Sequence, residues 1–247
     1  MGREQLRLHL LGTGDAFGTG GRYQTCFWLE GGDESLLIDC GATSLSALKA
    51  AGVEPNDIDS VVVTHLHGDH FGGLPFLVLD GQFRRRTRPL TIAGPPDTER
   101  RVHEAMEVLF PGSTRVRRRF KTAFVEVPYR ERTSLRSAVV TSTRVEQPDT
   151  PACALRIEYD DRVVSYSGDT AWTEELVGLA EGADVFVAEA YFFDRKVPFH
   201  LDYRTLVEQR DALRAKRIVL THMSPDMLAR QEEAEFECAY DGMVVSL

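Results

Sequence analysis

The sequence of 247 residues lacks a long hydrophobic run. Apolar residues make up 43% of it, enough for a full core, yet no stretch approaches the roughly 20 apolar residues of a membrane-spanning helix. The amino end also lacks a basic segment followed by an apolar run and a small-residue cleavage site, the pattern of a secretory signal. We therefore expect a cytoplasmic protein with no membrane partner.

Cysteine is scarce and scattered. Cys26, Cys40, Cys153 and Cys238 occur singly, without a C-x-x-C pair or the spacing of a disulfide framework. We expect four buried thiols in a reducing compartment.

Positive charge is in deficit, and the formal net charge of −9 argues against a protein that coats nucleic acid. The charge is uneven, however, because residues 81–136 contain fourteen Arg or Lys and six acids. The basic runs at 84–88 and 115–121 could gather a polyanionic substrate near a cleft. The alternative is an exposed loop rim, which the lack of interleaved aromatic residues favours.

Strand and helix patterns alternate along the chain, which predicts an α/β protein with a single domain over residues 1–247. A boundary near Arg144 would separate two halves that share one core, and Asp97 is the expected N-cap of the second helix. The predicted strands are 6–11, 25–29, 35–38, 61–63, 90–93, 123–127, 137–144, 154–159, 162–166, 185–188 and 217–220, and the predicted helices are 44–51, 98–109, 173–180 and 203–215.

Metal-binding residue types are concentrated directly after the apolar strand at 61–63. His65, His67, Asp69 and His70 lie within six residues, and Gly68 permits a tight loop among them. Imidazoles and carboxylates are costly to bury unpaired but are good ligands for zinc. The cluster therefore predicts a metal site rather than a packing motif.

The chain resembles the metallo-β-lactamase-fold hydrolases, and is most similar to the branch that contains ribonuclease Z and related phosphodiesterases. The residues that carry the resemblance are the H-x-H-x-D-H cluster at 65–70, Ser-Gly-Asp-Thr at 167–170, Leu-Thr-His at 220–222, and the segments 10–16, 37–41 and 71–75. The resemblance implies a four-layer αβ/βα sandwich with two mixed sheets inside and metals at the sheet edge.

The resemblance also implies two metal sites, with zinc expected and manganese as a further candidate. It assigns His65 and His67 to the first metal, Asp69, His70 and His222 to the second, and Asp169 to a bridge between them. Asp39 resembles the family carboxylate that orients the ligand loop through a hydrogen bond.

Gln147 departs from the family pattern, which places a third histidine for the first metal in this segment. An amide oxygen is a weaker zinc ligand than an imidazole, so the first site is expected to be loosely held or empty. Gln147, together with Thr13 and Asp15 of the opening loop, is also a candidate substrate-binding residue.

The mechanism that the resemblance implies is hydrolysis by a hydroxide that bridges the two metals. Asp69 would orient this nucleophile. His200 would protonate or stabilise the leaving oxygen, with Glu189 orienting its imidazole.

The substrate is predicted to be a small molecule. Ribonuclease Z carries a long arm that grips transfer RNA after the bridging Asp, and only about thirty residues separate Asp169 from His200 here. We expect a phosphodiesterase for a small phosphodiester such as a cyclic nucleotide. A thioester, lactone, ester or β-lactam hydrolase, a non-catalytic metal-binding ligand sensor, a nucleic-acid substrate and a homodimer stay open as alternatives.

Overall fold

The structure is a computed structural model, and it describes residues 5–148 and 150–247. The strands of the described chain are β1 Arg7–Gly12, β2 Cys26–Glu30, β3 Leu36–Ile38, β4 Ser60–Val62, β5 Leu90–Gly94, β6 Thr122–Glu126, β7 Arg132–Ser134, β8 Ala138–Val145, β9 Ala152–Tyr159, β10 Arg162–Tyr166, β11 Val185–Glu189, β12 Ile218–Thr221, β13 Glu237–Cys238 and β14 Met243–Ser246. The α-helices are α1 Ser44–Ala50, α2 Gly68–Phe71, α3 Leu74–Phe83, α4 Thr98–Leu109, α5 Glu175–Ala180, α6 Tyr203–Glu208, α7 Arg210–Leu213 and α8 Pro225–Ala229. Four short 3-10 helices lie at Thr19–Gly21, Pro55–Asp57, Ser113–Arg115 and Gln231–Glu233.

The strands form two seven-stranded mixed sheets. The first has the order β14-β1-β2-β3-β4-β5-β6, and the second has the order β13-β12-β11-β10-β9-β8-β7. Strands β3 to β6 run parallel, as do strands β10 to β13. The carboxyl ends of these parallel strands are where the metal-binding residue types lie in the sequence.

Three clusters of buried side chains separate four layers. The cluster between the sheets takes side chains from both, among them Leu8 and Val164. A second cluster packs the first sheet against α1, α3 and α4, and a third packs the other sheet against α5 and α6. The four-layer αβ/βα sandwich predicted from the sequence is confirmed. Because both sheets bury their inner faces in one cluster, neither could be stable without the other.

Most predicted strands and helices are present, but several elements differ. The predicted helix at 203–215 is interrupted at Gln209 and forms α6 and α7. Helix α3 was not predicted, because its sequence is apolar on nearly every side and shows no helical periodicity. The strands β7, β13 and β14 were also missed.

Asp97 is the N-cap residue of α4, as predicted, but its side chain does not cap the helix. Its φ of 72° is left-handed, and the side chain makes no capping hydrogen bond. Its carboxylate instead accepts a hydrogen bond from Arg100 Nε at 3.0 Å.

The predicted boundary near Arg144 is also wrong. Arg144 lies inside β8, and the chain passes from the first sheet to the second between Glu126 and Arg132. Strand β14 then returns to the first sheet and pairs antiparallel with β1. This closing strand is why a single cut in the sequence cannot separate the two halves.

All four cysteines are free thiols; three are buried, but Cys238 is only half-buried, contrary to the expectation for that residue. No helix in the described ranges is both long enough and apolar enough to cross a bilayer. The compartment stays a prediction.

The basic run at 84–88 is largely neutralised within the fold, which favours the loop-rim interpretation. Arg84 pairs with Glu54, and Arg88 Nη2 lies 2.5 Å from Asp59 Oδ1. Arg86 is buried.

The guanidinium of Arg86 forms hydrogen bonds with backbone carbonyl groups. It donates hydrogen bonds to the carbonyl oxygens of Pro55, Asn56, Ile58, Arg88 and Pro89. Buried carbonyls that lose such donors cost free energy, so Arg86→Met should lower the free energy of unfolding by about 2–4 kcal/mol. Urea unfolding would measure the loss, with Arg119→Met at an exposed position of the second basic run as the control. Equal stability of the two variants would show that Arg86 is not structural.

Candidate metal centre

Residues that can bind metals meet where parallel strands end. Asp39 follows β3, the segment 65–70 follows β4, and Asp169 follows β10. Glu189 is the last residue of β11, and His222 comes directly after β12. Because the carboxyl ends of parallel strands lie at one edge of a sheet, the fold brings these side chains from both sheets into one cleft.

Four buried side chains form the centre of this cleft. His70 Nε2 lies 3.3 Å from Asp69 Oδ2 and 3.3 Å from Asp169 Oδ1. His222 Nε2 lies 3.1 Å from Asp69 Oδ2 and 3.5 Å from Asp169 Oδ2. Each residue offers one ligand atom, and these atoms lie within 4.8 Å of one another.

The polar atoms of this group fit a divalent cation. His70 Nε2 and Asp169 Oδ1 are buried and have no hydrogen-bond partner among the described residues. Such atoms are costly to bury unless something binds them, and imidazole nitrogen with carboxylate oxygen is a donor set that suits zinc and manganese. A cation between the two imidazoles and the two carboxylates would satisfy these atoms.

Asp39 sets the direction of His70. Its backbone is left-handed, with φ at 57°, and its carboxylate accepts hydrogen bonds from Thr64 N at 2.7 Å and Thr64 Oγ1 at 2.9 Å. The same carboxylate accepts a bond from His70 Nδ1 at 2.6 Å. With the proton held at Nδ1, the Nε2 atom of His70 is left free to face the centre.

His65 and His67 lie on one side of the centre. His65 Nε2 is 3.0 Å from His67 Nδ1 and 4.0 Å from Asp169 Oδ2. Burial, and then the neighbouring His70, hold the pKa of His65 well below its ordinary value. His65 is therefore neutral, the form that can bind a metal.

Gln147 lies in the loop between β8 and β9, and its amide is engaged elsewhere. Gln147 Nε2 donates a hydrogen bond to the carbonyl oxygen of Phe199 at 2.9 Å. This contact could not be predicted, because 52 residues separate the partners and no local pattern links them.

The four central side chains form a balanced set of charges. Burial opposes ionisation of Asp69 and Asp169, but the neighbouring imidazoles outweigh it and hold the pKa of both carboxyls below the ordinary value. Burial likewise opposes protonation of His70 and His222, but the surrounding carboxylates outweigh it and raise the pKa of both imidazoles. Without a cation, protonated imidazoles therefore compensate the carboxylates.

His200 reaches the same cleft from the loop between β11 and α6. His200 Nδ1 donates a hydrogen bond to Glu189 Oε1 at 2.5 Å, so the contact predicted between these two residues is present. The imidazole stacks on Tyr191, with ring centroids 4.8 Å apart. Its side chain is 28% exposed, which leaves it open to a ligand in the cleft. Burial lowers the pKa of His200, but the bond to Glu189 outweighs it and raises the pKa above the ordinary value.

Comparison with known proteins identifies the family. The family profile described as "Anti-Pycsar protein Apyc1" matches residues 6–239. The chain belongs to the Apyc1 family.

This Apyc1-family chain is also similar to ribonuclease Z. The ribonuclease Z of Mycolicibacterium gilvum is 30% identical over 92% of this chain and 87% of that protein. The ribonuclease Z of Lachnoclostridium phytofermentans is 28% identical over 91% of this chain and 89% of that protein. The crystal structure of the metallo-β-lactamase fold protein YhfI from Bacillus subtilis has a TM-score of 0.81 at 21% identity, covering 99% of this chain and 100% of that one.

These relationships confirm the resemblance to the metallo-β-lactamase-fold hydrolases near ribonuclease Z. The Apyc1-family chain is a metal-dependent hydrolase of that superfamily, of the phosphodiesterase type. One structure of the same fold, PqqB from Methylobacterium extorquens, is Zn²⁺-bound; it has a TM-score of 0.75 at 16% identity. The buried ligand atoms described above are the candidate metal site of this chain.

The candidate substrate residues of the opening loop have internal partners in the Apyc1-family chain. Thr13 Oγ1 donates to Asp241 Oδ1 at 2.8 Å, and the Thr13 carbonyl accepts from the His222 backbone N–H at 3.1 Å. Asp15 accepts from Thr19 N at 2.9 Å and Thr19 Oγ1 at 2.7 Å. These contacts shape the wall of the cleft, and substrate binding by Thr13 and Asp15 stays a prediction.

Two tyrosines of the site were missed in the sequence. Tyr191 stacks on His200, and its ring centroid lies 6.0 Å from that of His222. The hydroxyl of Tyr166 is buried without a hydrogen-bond partner among the described residues, and this burial raises the pKa of Tyr166 well above its ordinary value. Both tyrosines end or follow a parallel strand, so the reasoning that found Asp169 could have found them.

A pH-dependent difference in stability should follow from the raised pKa of His222. A group whose pKa is higher in the folded state stabilises the protein fully below its unfolded pKa, about 6.5, and loses that contribution as pH rises through the folded pKa. In chelator, wild type should therefore exceed His222→Gln in melting temperature by most at pH 6, and the difference should shrink toward pH 9. Thermal unfolding of both proteins across this range is the measurement. A difference that stays constant or grows with pH would contradict the charge balance described above.

Proposed function

We propose that the chain hydrolyses a small phosphodiester, such as a cyclic nucleotide, at a centre of two divalent metals. The observation that carries the proposal is that one cleft contains both buried ligand atoms without partners and a partly exposed imidazole held by a hydrogen bond. His70 Nε2 and Asp169 Oδ1 are buried without a hydrogen-bond partner among the described residues, and a cation would satisfy both atoms. His200, hydrogen-bonded to Glu189, lies in the same cleft. A purely structural metal site needs no open face and no proton donor.

Two groups of residues would hold the metals, with zinc preferred and manganese as the alternative. His65, His67 and Asp169 would hold one, and Asp69, His70, His222 and Asp169 would hold the other. The first group offers three ligands where the second offers four, and it lies farther from the shared carboxylate, so it should bind its metal more weakly. When bound, the cations would lower the pKa of a water and neutralise negative charge on the phosphoryl oxygens.

The chain's own residues would position the reactants. Asp69, held between the imidazoles of His70 and His222, has a carboxylate oxygen aimed into the centre and would orient the attacking water. His200, with Nδ1 fixed on Glu189, would present Nε2 to the leaving oxygen and donate its proton there. Two immobile groups on opposite sides of the phosphorus suit an in-line displacement.

The shape of the chain favours a small substrate. Between Asp169 and His200 the chain forms only α5, β11 and short loops, with no extended arm. The alignment with the ribonuclease Z of Lachnoclostridium phytofermentans runs over 277 residues, more than this chain contains, so that relative carries segments absent here. A cavity of about 370 Å³ next to His67, lined also by Arg100 and Arg101, is in the size range of small-molecule sites.

The metal proposal is tested by Asp169→Asn. This carboxylate borders both proposed sites. The variant should therefore lose the tightly bound metal, and its affinity for the second metal should fall below detection. Wild type should bind up to two metals with unequal affinity, measured by elemental analysis and calorimetric titration after chelation. Asp184→Asn, at the amino end of β11 and therefore the opposite sheet edge, is the matched control. Unchanged metal content in Asp169→Asn would remove Asp169 from the centre.

The substrate proposal is tested with a panel of 2′,3′- and 3′,5′-cyclic nucleotides, a generic aryl phosphodiester, precursor transfer RNA, a lactone, a thioester and a β-lactam. We expect turnover of the phosphodiesters, with a cyclic nucleotide preferred. His200→Ala should keep its metals and lower kcat by about 10²–10⁴, the range for loss of a general acid, whereas His103→Ala on the exposed face of α4 should match wild type. Binding of a nucleotide without turnover would favour the ligand sensor, and faster turnover of another substrate class would replace the proposal.

A further inference from the structure

The loop that carries His200 is held on both sides of that residue, because Val197 and His200 pair in an isolated antiparallel bridge that closes a tight turn before it. After His200, Leu201 N donates to Glu189 Oε2 at 3.2 Å, and the Leu201 carbonyl accepts from Tyr191 N at 2.9 Å. Before His200, residues 194–196 and 198 are exposed. The position of the His200 imidazole therefore depends on this turn, whose central residues are Pro198 and Phe199.

Phe199 has an unfavourable backbone. Its φ of 67° is in the left-handed region, where the Cβ of an ordinary residue crowds its own carbonyl. Such a conformation persists only where surrounding contacts hold it, and it is found most often beside functional groups. The bridge between Val197 and His200 closes this turn, but it does not involve the Phe199 carbonyl, which faces a partner outside the turn.

Gln147 makes that contact. Its Nε2 donates to the Phe199 carbonyl at 2.9 Å from the loop between β8 and β9, on the far side of the cleft entrance. The orientation of the amide is determined by chemistry, because a carbonyl oxygen only accepts and would repel the amide oxygen. Both side chains also line one cavity of about 520 Å³, so the contact spans the wall of an opening rather than the core.

We propose that Gln147 is a positioning residue for His200. By holding the Phe199 carbonyl it fixes the peptide before His200, so that Nδ1 meets Glu189 and Nε2 faces the leaving oxygen. This inference rests on the proposed function, in which His200 is the proton donor.

The substitution Gln147→Met tests the proposal, since methionine keeps the length of the side chain and removes the N–H donor. We expect kcat to fall about tenfold, with KM and metal content unchanged. Because Gln147 acts through His200, the double variant Gln147→Met/His200→Ala should be no slower than His200→Ala alone. Gln231→Met, in the 3-10 helix Gln231–Glu233, is the matched control and should behave as wild type.

A second measurement separates this proposal from the proposed function. The Nδ1 proton of His200, held on Glu189, should give a resolved signal in ¹H–¹⁵N imidazole spectra of the metal-loaded protein, and Gln147→Met should broaden or lose it. If wild type hydrolyses no phosphodiester, the proposed function fails, and the spectrum alone decides the role of Gln147. Loss of a metal in Gln147→Met would make Gln147 a ligand and overturn the proposal. Wild-type kcat with an unchanged signal, or additive losses in the double variant, would overturn it too.

Discussion

The buried carboxylate of Asp39 is the contact on which the cleft depends. It joins the end of β3 to Thr64 after β4 and to His70 in the helical turn α2. Burying a carboxylate costs free energy unless the group is hydrogen-bonded. Here the hydrogen bonds that offset this cost also fix the segment 65–70, which carries the candidate metal ligands. Close packing reinforces this arrangement, because a Cβ on Gly41 would lie 2.2 Å from the Asp69 carbonyl.

The second sheet supplies the rest of the site, so the cleft exists only when both sheets are packed. Asp169, Glu189 and His222 end successive parallel strands there, and the backbone of His222 bonds to Thr13 of the first sheet. The inter-sheet core thus sets the distances between ligands that come from different sheets. Destabilising this core should loosen the metal centre before it unfolds the protein.

The buried residues and the exposed residue of the cleft have different chemical roles. Asp69, His70 and Asp169 are buried, so their charges must be balanced either by protons or by a cation. His200, in contrast, is partly open and reaches the cleft from a loop. A buried, charged centre beside a partly exposed proton donor suits displacement at a phosphorus whose leaving group departs toward solvent.

Local residue type and strand-end placement in the sequence predicted a metal cluster at 65–70, and the resemblance to a known family added the four-layer fold and the later Asp169 and His222. The sequence also indicated the contact of Glu189 with His200. It did not determine the apolar helix α3, which lacks periodicity, or the left-handed Asp97, which turns to Arg100 instead of capping. Only the tertiary structure decided that the Arg86 guanidinium donates hydrogen bonds to five carbonyl oxygens and that the Gln147 amide donates to the Phe199 carbonyl. The hydrogen-bond partner of a side chain depends on which distant backbone atom the fold brings within about 3 Å, and no local pattern encodes that distance.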